Sequence, residues 1–239
     1  MEENFRYKTD KDGLVVLGDT HGNWASLANF CDNYTNFCIV HVGDAGIGFN
    51  HPLKEGHLLR KVNRKLHETN NEVIVIRGNH DCPKRFTGKW IEEEILFADD
   101  YHILEFKDKK IQLIGGAISI DRSERVVNRS WWVNEEVKFK PERIEKVDIL
   151  ITHAAPTNAG LQKADCNDMV RHFHAIEASQ GGDLLGDLES EQKIIQQISD
   201  LSECKEHYFG HMHHSHYYTD PSNGRKYICL NIDEFREIK

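Results

Sequence analysis

Short apolar runs recur along the chain at residues 14–17, 37–42, 73–76, 111–114, 148–152 and 207–209, most of them stopping at or beside a glycine. Continuous apolar runs of this length suit strands buried on both faces. Helical stretches lie between the early runs. Asn23 stands where an N-cap would open a helix reaching about residue 33, and Leu58, Leu59, Val62 and Leu66 fall at helical spacing within 53–70. Strand–helix–strand alternation predicts right-handed crossovers and a largely parallel sheet in the N-terminal part.

The pattern then changes. Residues 101–106 and 111–114 flank a charged turn, and 217–220 and 225–231 flank Pro221-Ser222-Asn223-Gly224, so both segments read as antiparallel hairpins. Parallel strands plus hairpins predict an α/β fold, a four-layer αββα sandwich of two mixed sheets face to face with helices outside. No repeat, low-complexity tract or Pro/Gly linker interrupts the chain, so residues 1–239 read as a single domain. His153 and His211 stand 58 positions apart, with helices expected at about 168–178 and 184–199 and a Gly181-Gly182 break between them. A segment this long between two strands is expected to arch over something, which makes 154–210 a cover segment.

Composition narrows the function. Of 239 residues, 39% are hydrophobic and 29% charged, which suits a cored, folded chain. The net charge of −9 disfavours coating of extended nucleic acid or anionic membrane. No apolar run approaches the roughly 20 residues of a membrane helix, and residues 1–10 lack the apolar core of a secretory signal. Cytoplasmic residence is the expectation. The six cysteines include no Cys-x-x-Cys pair and read as thiols. Histidine is abundant, at 15 residues, and position decides which of them matter.

Five strand ends gather polar residues: Gly18-Asp19-Thr20-His21-Gly22, Gly43-Asp44-Ala45-Gly46, Gly78-Asn79-His80-Asp81, Thr152-His153-Ala154 and Gly210-His211-Met212-His213. Ligands of open α/β sheets bind beyond the carboxyl ends of strands, so the five clusters fall on one rim. So many buried polar groups would be costly without a cation. Mixed oxygen and imidazole donors suit Mn, Fe or Zn better than Mg or Ca. The set exceeds what one ion needs, and two ions sharing a carboxylate fit better.

These five blocks, in this order and each after a strand, resemble the calcineurin-like metallophosphoesterases, whose pattern runs Asp-x-His, Gly-Asp, Gly-Asn-His-Asp/Glu, a strand-end His, then Gly-His-x-His. The resemblance spans residues 18–213. It implies two divalent metal ions, Asp19, His21 and His213 holding one and Asn79, His153 and His211 the other, with Asp44 bridging. It further implies that His80 is a catalytic proton donor, and that a phosphate ester is hydrolysed by in-line attack of a metal-bridging hydroxide. Manganese is the expected metal, with iron or zinc as alternatives.

One departure bears on substrate. Protein Ser/Thr phosphatases of this superfamily continue the second block as Gly-Asp-x-Val-Asp-Arg-Gly, but here Ile47 and Gly48 stand where that Asp and Arg would be. The usual partner of His80 is therefore missing, along with one phosphate-binding arginine. Arg122 and Arg125, with Arg129 nearby, are candidates to replace it as substrate-binding residues. A nucleotide or other small phosphorylated molecule is the expected substrate; a phosphoprotein phosphatase and a non-catalytic binding scaffold are the alternatives. Asp81 is expected to orient His80 or brace a loop, Cys82 to fill core, and Trp131-Trp132 to pack. The ten remaining histidines are expected in core or on surface.

Overall fold

The computed structural model describes residues 3–239; residues 1 and 2, the start of the stretch read as non-secretory, lie outside them. In chain order the elements are β1 (Arg6–Thr9), β2 (Gly13–Leu17), α1 (Ala25–Asn33), β3 (Phe37–His41), α2 (Pro52–Glu68), β4 (Glu72–Val75), β5 (Lys89–Glu92), β6 (Ile95–Phe97), β7 (His102–Phe106) and β8 (Lys109–Ile114). They continue as β9 (Ile149–Thr152), α3 (Asp168–Ser179), α4 (Leu184–Leu201), β10 (Glu206–Phe209), β11 (His216–Thr219), β12 (Lys226–Cys229) and β13 (Phe235–Glu237). Every apolar run picked out in the sequence is a strand.

Two mixed sheets form. One is six-stranded in the order β13-β2-β3-β4-β6-β5, the other seven-stranded in the order β1-β7-β8-β9-β10-β12-β11. Strands β2, β3, β4 and β6 are mutually parallel, as are β8, β9, β10 and β12, and antiparallel neighbours close the edges of the six-stranded sheet.

Alternation along each strand assigns the layers. Leu14 and Val16 of β2 face the other sheet, meeting a core that includes Leu113 of β8 and Ile151 of β9. Val15 and Leu17 point the opposite way, onto Leu27 and Phe30 of α1 and Leu59 and Leu66 of α2. On the far side, Ile103 and Leu150 pack outward against Ile195 and Ile198 of α4. A fully buried Leu or Ile contributes about 1.5–3 kcal/mol by burial, so both faces of each sheet must be covered, and the result is αββα.

Four strands escaped the sequence pattern, for a physical reason. Strands β1, β5 and β13 lie at sheet edges and are half exposed, so their sequences (Arg-Tyr-Lys-Thr, Lys-Trp-Ile-Glu, Phe-Arg-Glu) carry charges in place of an apolar run. Strand β6 is fully buried but only three residues long. Helix α1 starts one position later than expected: Trp24 is at the N-cap, and the Asn23 carboxamide oxygen accepts from Ala25 N at 3.2 Å. Among the described residues, no helix is long and apolar enough to cross a membrane.

Candidate metal centre and active site

Each rim residue leaves a buried parallel strand at its carboxyl end. Asp19 and His21 follow β2, Asp44 follows β3, Asn79 and His80 follow β4, His153 follows β9, and His211 and His213 follow β10. The two sheets therefore bring their donors together across the seam between them. The backbone is bent hard to do so: His21, Asp44, His211 and His213 all adopt left-handed φ, at 47°, 55°, 66° and 51°. Non-glycine residues rarely sit there, and each such position costs of order 1–3 kcal/mol that surrounding bonds must offset.

Those bonds are visible. His21 N donates to the Asp44 carbonyl at 2.7 Å, and His211 N donates to Asp19 Oδ2 at 3.0 Å. His80 N donates to Asp44 Oδ1 at 2.7 Å. Two glycines permit the close approach: a Cβ on Gly78 would stand 2.1 Å from Asp44 Oδ1, and one on Gly210 would stand 2.2 Å from Asp19 Oδ1. Any side chain at either place would displace a carboxylate.

Asp19, His21, Asp44 and His213 bring one donor atom each to within 4.8 Å of one another, and Asp44, His153 and His211 form a second such group. Asp44 belongs to both. Asn79 joins the second group through Oδ1, 3.1 Å from His153 Nε2. The His153 ring donates from Nδ1 to the Val42 carbonyl at 2.8 Å, which turns Nε2 toward Asp44 Oδ1 at 3.3 Å and Asn79 Oδ1. Likewise His21 Nε2 and His213 Nε2 face each other at 2.9 Å. Acceptor atoms converging this way, with Asp19 and Asp44 almost wholly buried, call for positive charge between them. The donor set fits two divalent cations.

Titration behaviour carries the same signature. Burial pulls His153 down, but the carboxylates of Asp44 and Asp19 outweigh it and hold its pKa up at about 9. Burial pushes Asp44 up, but His153, then His80 and His211, hold it well below the usual carboxylate range. For His211 the balance goes the other way: burial, then the charge of His153, outweighs the raising pull of Asp44 and lowers it to about 3.

A further set of residues positions the donors. Asn79 Nδ2 donates to Ser119 Oγ at 3.0 Å, and Ser119 donates in turn to the Glu135 carboxylate, from Oγ at 2.7 Å and from its backbone N at 2.6 Å. This chain fixes the Asn79 carboxamide with its oxygen toward His153. Nothing in the spacing of Ser119 or Glu135 marks them in the sequence; only their distance behind Gly115-Gly116 offers a hint. Asp81 braces the loop: its carboxylate accepts from Gly78 N, Ala45 N and Ile47 N at 2.8, 3.2 and 2.8 Å. Cys82 is half-buried and lies against Gly48, so it is not fully core.

His80 occupies the mouth. Phe49 stacks on its ring with centroids 5.3 Å apart, and buried Trp132 meets Phe49 edge-on. Arg125 Nη2 donates to His80 Nε2 at 2.9 Å, while its Nε pairs with Asp121 at 2.6 Å. The two candidate arginines thus diverge. Arg125 is at the site, whereas the Arg122 guanidinium is engaged by Glu177 of α3 and Asp187 of α4. Of the other histidines, His41, His102 and His207 are buried, and the remaining seven are exposed or half-buried.

No curated protein matches the chain significantly. Among solved structures, the protein TT1561 of Thermus thermophilus is 9% identical and covers 95% of this chain and 98% of its own, with a TM-score of 0.54, which shows a shared fold. A Streptococcus pneumoniae protein described as a predicted phosphoesterase is 13% identical over 94% of this chain and 74% of its own, at a TM-score of 0.39. A cold-active protein-tyrosine phosphatase of a psychrophilic Shewanella is 13% identical over 97% and 73%, at 0.36. The last two overlap too loosely to carry an argument. The profile of the calcineurin-like phosphoesterases matches residues 14–215, most of the chain, and embraces all five strand-end blocks. The chain therefore belongs to the calcineurin-like phosphoesterase family, and is a metal-dependent phosphoric ester hydrolase.

Proposed function

We propose that the protein hydrolyses a small phosphorylated substrate, a nucleotide or similar phosphoester, at a dinuclear centre. The observation that carries this reading is the pair of donor groups sharing Asp44, each with its ligand atoms within 4.8 Å. Asp19, His21, Asp44 and His213 would hold one divalent cation and Asp44, Asn79, His153 and His211 the other, manganese suiting the mixed donors best. Bound there, the cations supply an activated water and neutralise phosphoryl charge.

The protein's own residues then orient and finish the reaction. Arg125 swings its Nη2 hydrogen from His80 to a phosphoryl oxygen, as a bidentate-capable guanidinium favours. That frees His80 Nε2, the acceptor of this bond at rest, to take up a proton from solvent and pass it to the leaving oxygen. Phe49, stacked on the ring, and Asp44 Oδ1, bonded to His80 N, keep the imidazole in place. This takes over the role of the missing Asp-Arg pair. The chain forms one domain in this reading. Within 154–210, α4 completes the outer layer, while the 164–183 stretch and the first turns of α4 cover the rim.

The test is turnover of bis-p-nitrophenyl phosphate and p-nitrophenyl phosphate with Mn²⁺, before and after chelation. We expect Mn²⁺-dependent hydrolysis, with His80→Ala reducing it by about 10²–10⁴-fold. Equal turnover with and without metal would overturn the reading.

A further inference from the structure

Arg125 reaches the mouth from a short loop, and its side chain is only 12% exposed. Asp121 and Arg125 flank the single 3₁₀ turn Arg122–Glu124, one just before it and the other just after. The local chain therefore delivers an acid and a guanidinium together, at a mouth where Ile47 and Gly48 supply neither.

The contacts of the guanidinium divide by strength. Nε lies 2.6 Å from Asp121 Oδ1, a pair of full charges. That oxygen is buried and meets no aligned hydrogen-bond donor, so the charge of Arg125 is what balances it. Nη1 donates to uncharged oxygens, Ser119 Oγ and Ser130 O, at 3.3 and 3.2 Å, and Nη2 donates to His80 Nε2 at 2.9 Å. Two opposite charges at this range attract more strongly than a charge and a dipole. A phosphoryl group arriving at the rim therefore displaces the partners of Nη1 and Nη2 before it displaces Asp121. Release of Nη1 costs the donor set nothing. Ser119 Oγ still accepts from Asn79 Nδ2 and still donates to Glu135, and the Arg125 bond is the longest of its three.

We propose that Asp121 is a positioning residue: it anchors Arg125 at Nε, so that the guanidinium pivots about that edge and turns Nη1 and Nη2 to the phosphoryl oxygens. A planar fork held along one edge loses little freedom when it closes on an oxyanion. The inference rests on the phosphoesterase reading for the phosphoryl group, and on the Asp121–Arg125 geometry alone for the anchor. Two other roles are open to an acid at this place. A brace of the loop would act whatever residue stands at 125, and a repulsive charge would weaken the binding of phosphate.

A double-mutant cycle on the full chain with Mn²⁺ separates the three. It is read as KM and kcat for p-nitrophenyl phosphate, and as the calorimetric Kd of inorganic phosphate. Arg125→Ala is expected to raise KM and Kd by about 10–100-fold, the scale of hydrogen bonds to a charged group. Asp121→Ala should raise both about tenfold while Arg125 is present, and less than about twofold in the Arg125→Ala background, with kcat changed far less. If Asp121→Ala does not fold, the isosteric Asp121→Asn, which removes the charge and keeps the shape, carries the same cycle. An effect of Asp121→Ala that is equal in the two backgrounds, zero included, or one that lowers KM, overturns the anchor and leaves the phosphoesterase reading intact. Phosphate binding that depends on Asp121 only through Arg125, with no hydrolysis of any phosphoester, does the reverse. Neither hydrolysis nor phosphate binding overturns both.

Discussion

The rim and the α3–α4 segment proposed to cover it are built by opposite means. At the rim, the polar side chains are fixed by backbone: Asp81 takes three main-chain amides, Asp19 and Asp44 pack against glycines, and four donors sit at left-handed φ. The cover is fixed by side chains. Val170, Leu184 and Leu188 make a small apolar cluster with Ile118, and Arg122 ties α3 to α4 by charge. Cation binding tolerates little movement of its ligands, and main-chain bonds have no rotamers to lose. Recognition of an organic group gains from parts that can be exchanged or adjusted. The molecule concentrates its rigidity where phosphorus reacts.

That contrast breaks most visibly at Asp44. Asp44→Asn keeps shape and most hydrogen bonding but removes the charge common to both donor groups. We expect kcat/KM with Mn²⁺ to fall by at least about 10³-fold, the scale of losing a preorganised electrostatic contact, and bound metal measured by atomic emission to drop with it. Retention of both metals and of activity would show that the two groups do not share this carboxylate. Next in size is Ser119→Ala, which removes the partner of Asn79 Nδ2 and leaves every ligand atom in place. It frees the Asn79 carboxamide to rotate, and a loss of about 10–100-fold in affinity for one of two cations is expected by calorimetry. Ser119→Thr, which keeps the hydroxyl, should restore it.

The same division explains what could be read from the sequence. Rim residues are constrained to follow buried strands at fixed offsets, so Asp19, His21, Asp44, Asn79, His80, His153, His211 and His213 stand out as five clusters, each behind an apolar run. The strands themselves are legible for the reason that both their faces are covered. Ser119, Glu135 and Glu191 act from a loop and a helix that fold back across the sheet, and their contacts join positions 16 to 73 residues apart. No local spacing records that. Arg122 and Arg125 illustrate the limit. Only three positions apart, they point to opposite tasks, one to α3 and α4 and the other to His80.

Loosening the cover without touching the rim gives a smaller effect. Arg122→Ala removes the donors of Glu177, which is only 7% exposed, and so leaves a largely buried carboxylate unpaired. A loss of about 1–3 kcal/mol is expected, confined to α3 and the start of α4. Hydrogen exchange should show faster labelling across Asp168–Ser179 while β2, β3 and β4 keep their protection. Uniform acceleration over the whole chain would mean that cover and rim open as one unit.

The last expected effect is a pH dependence carried by Glu191. Burial, with a minor push from Glu136, raises its pKa to about 7, against the lowering pull of Ile118 N, Val137 N and His153. The folded chain thus binds this proton more tightly than the unfolded chain, in which a glutamate titrates near its ordinary 4.5. Its contribution to stability is whole below pH 4.5 and is lost as pH rises toward 7, by up to about 1.4 kcal/mol for each unit between the two values. Glu191→Gln stays neutral throughout and should escape that loss. Urea midpoints of the two proteins should therefore diverge between about pH 4.5 and pH 7, the variant gaining on the unaltered chain as pH rises, and stay parallel above that. Glu135 and Asp81, also raised to about 7, contribute equally to both proteins and cancel in the difference. A midpoint difference that stays flat across this range would place the Glu191 carboxylate in water.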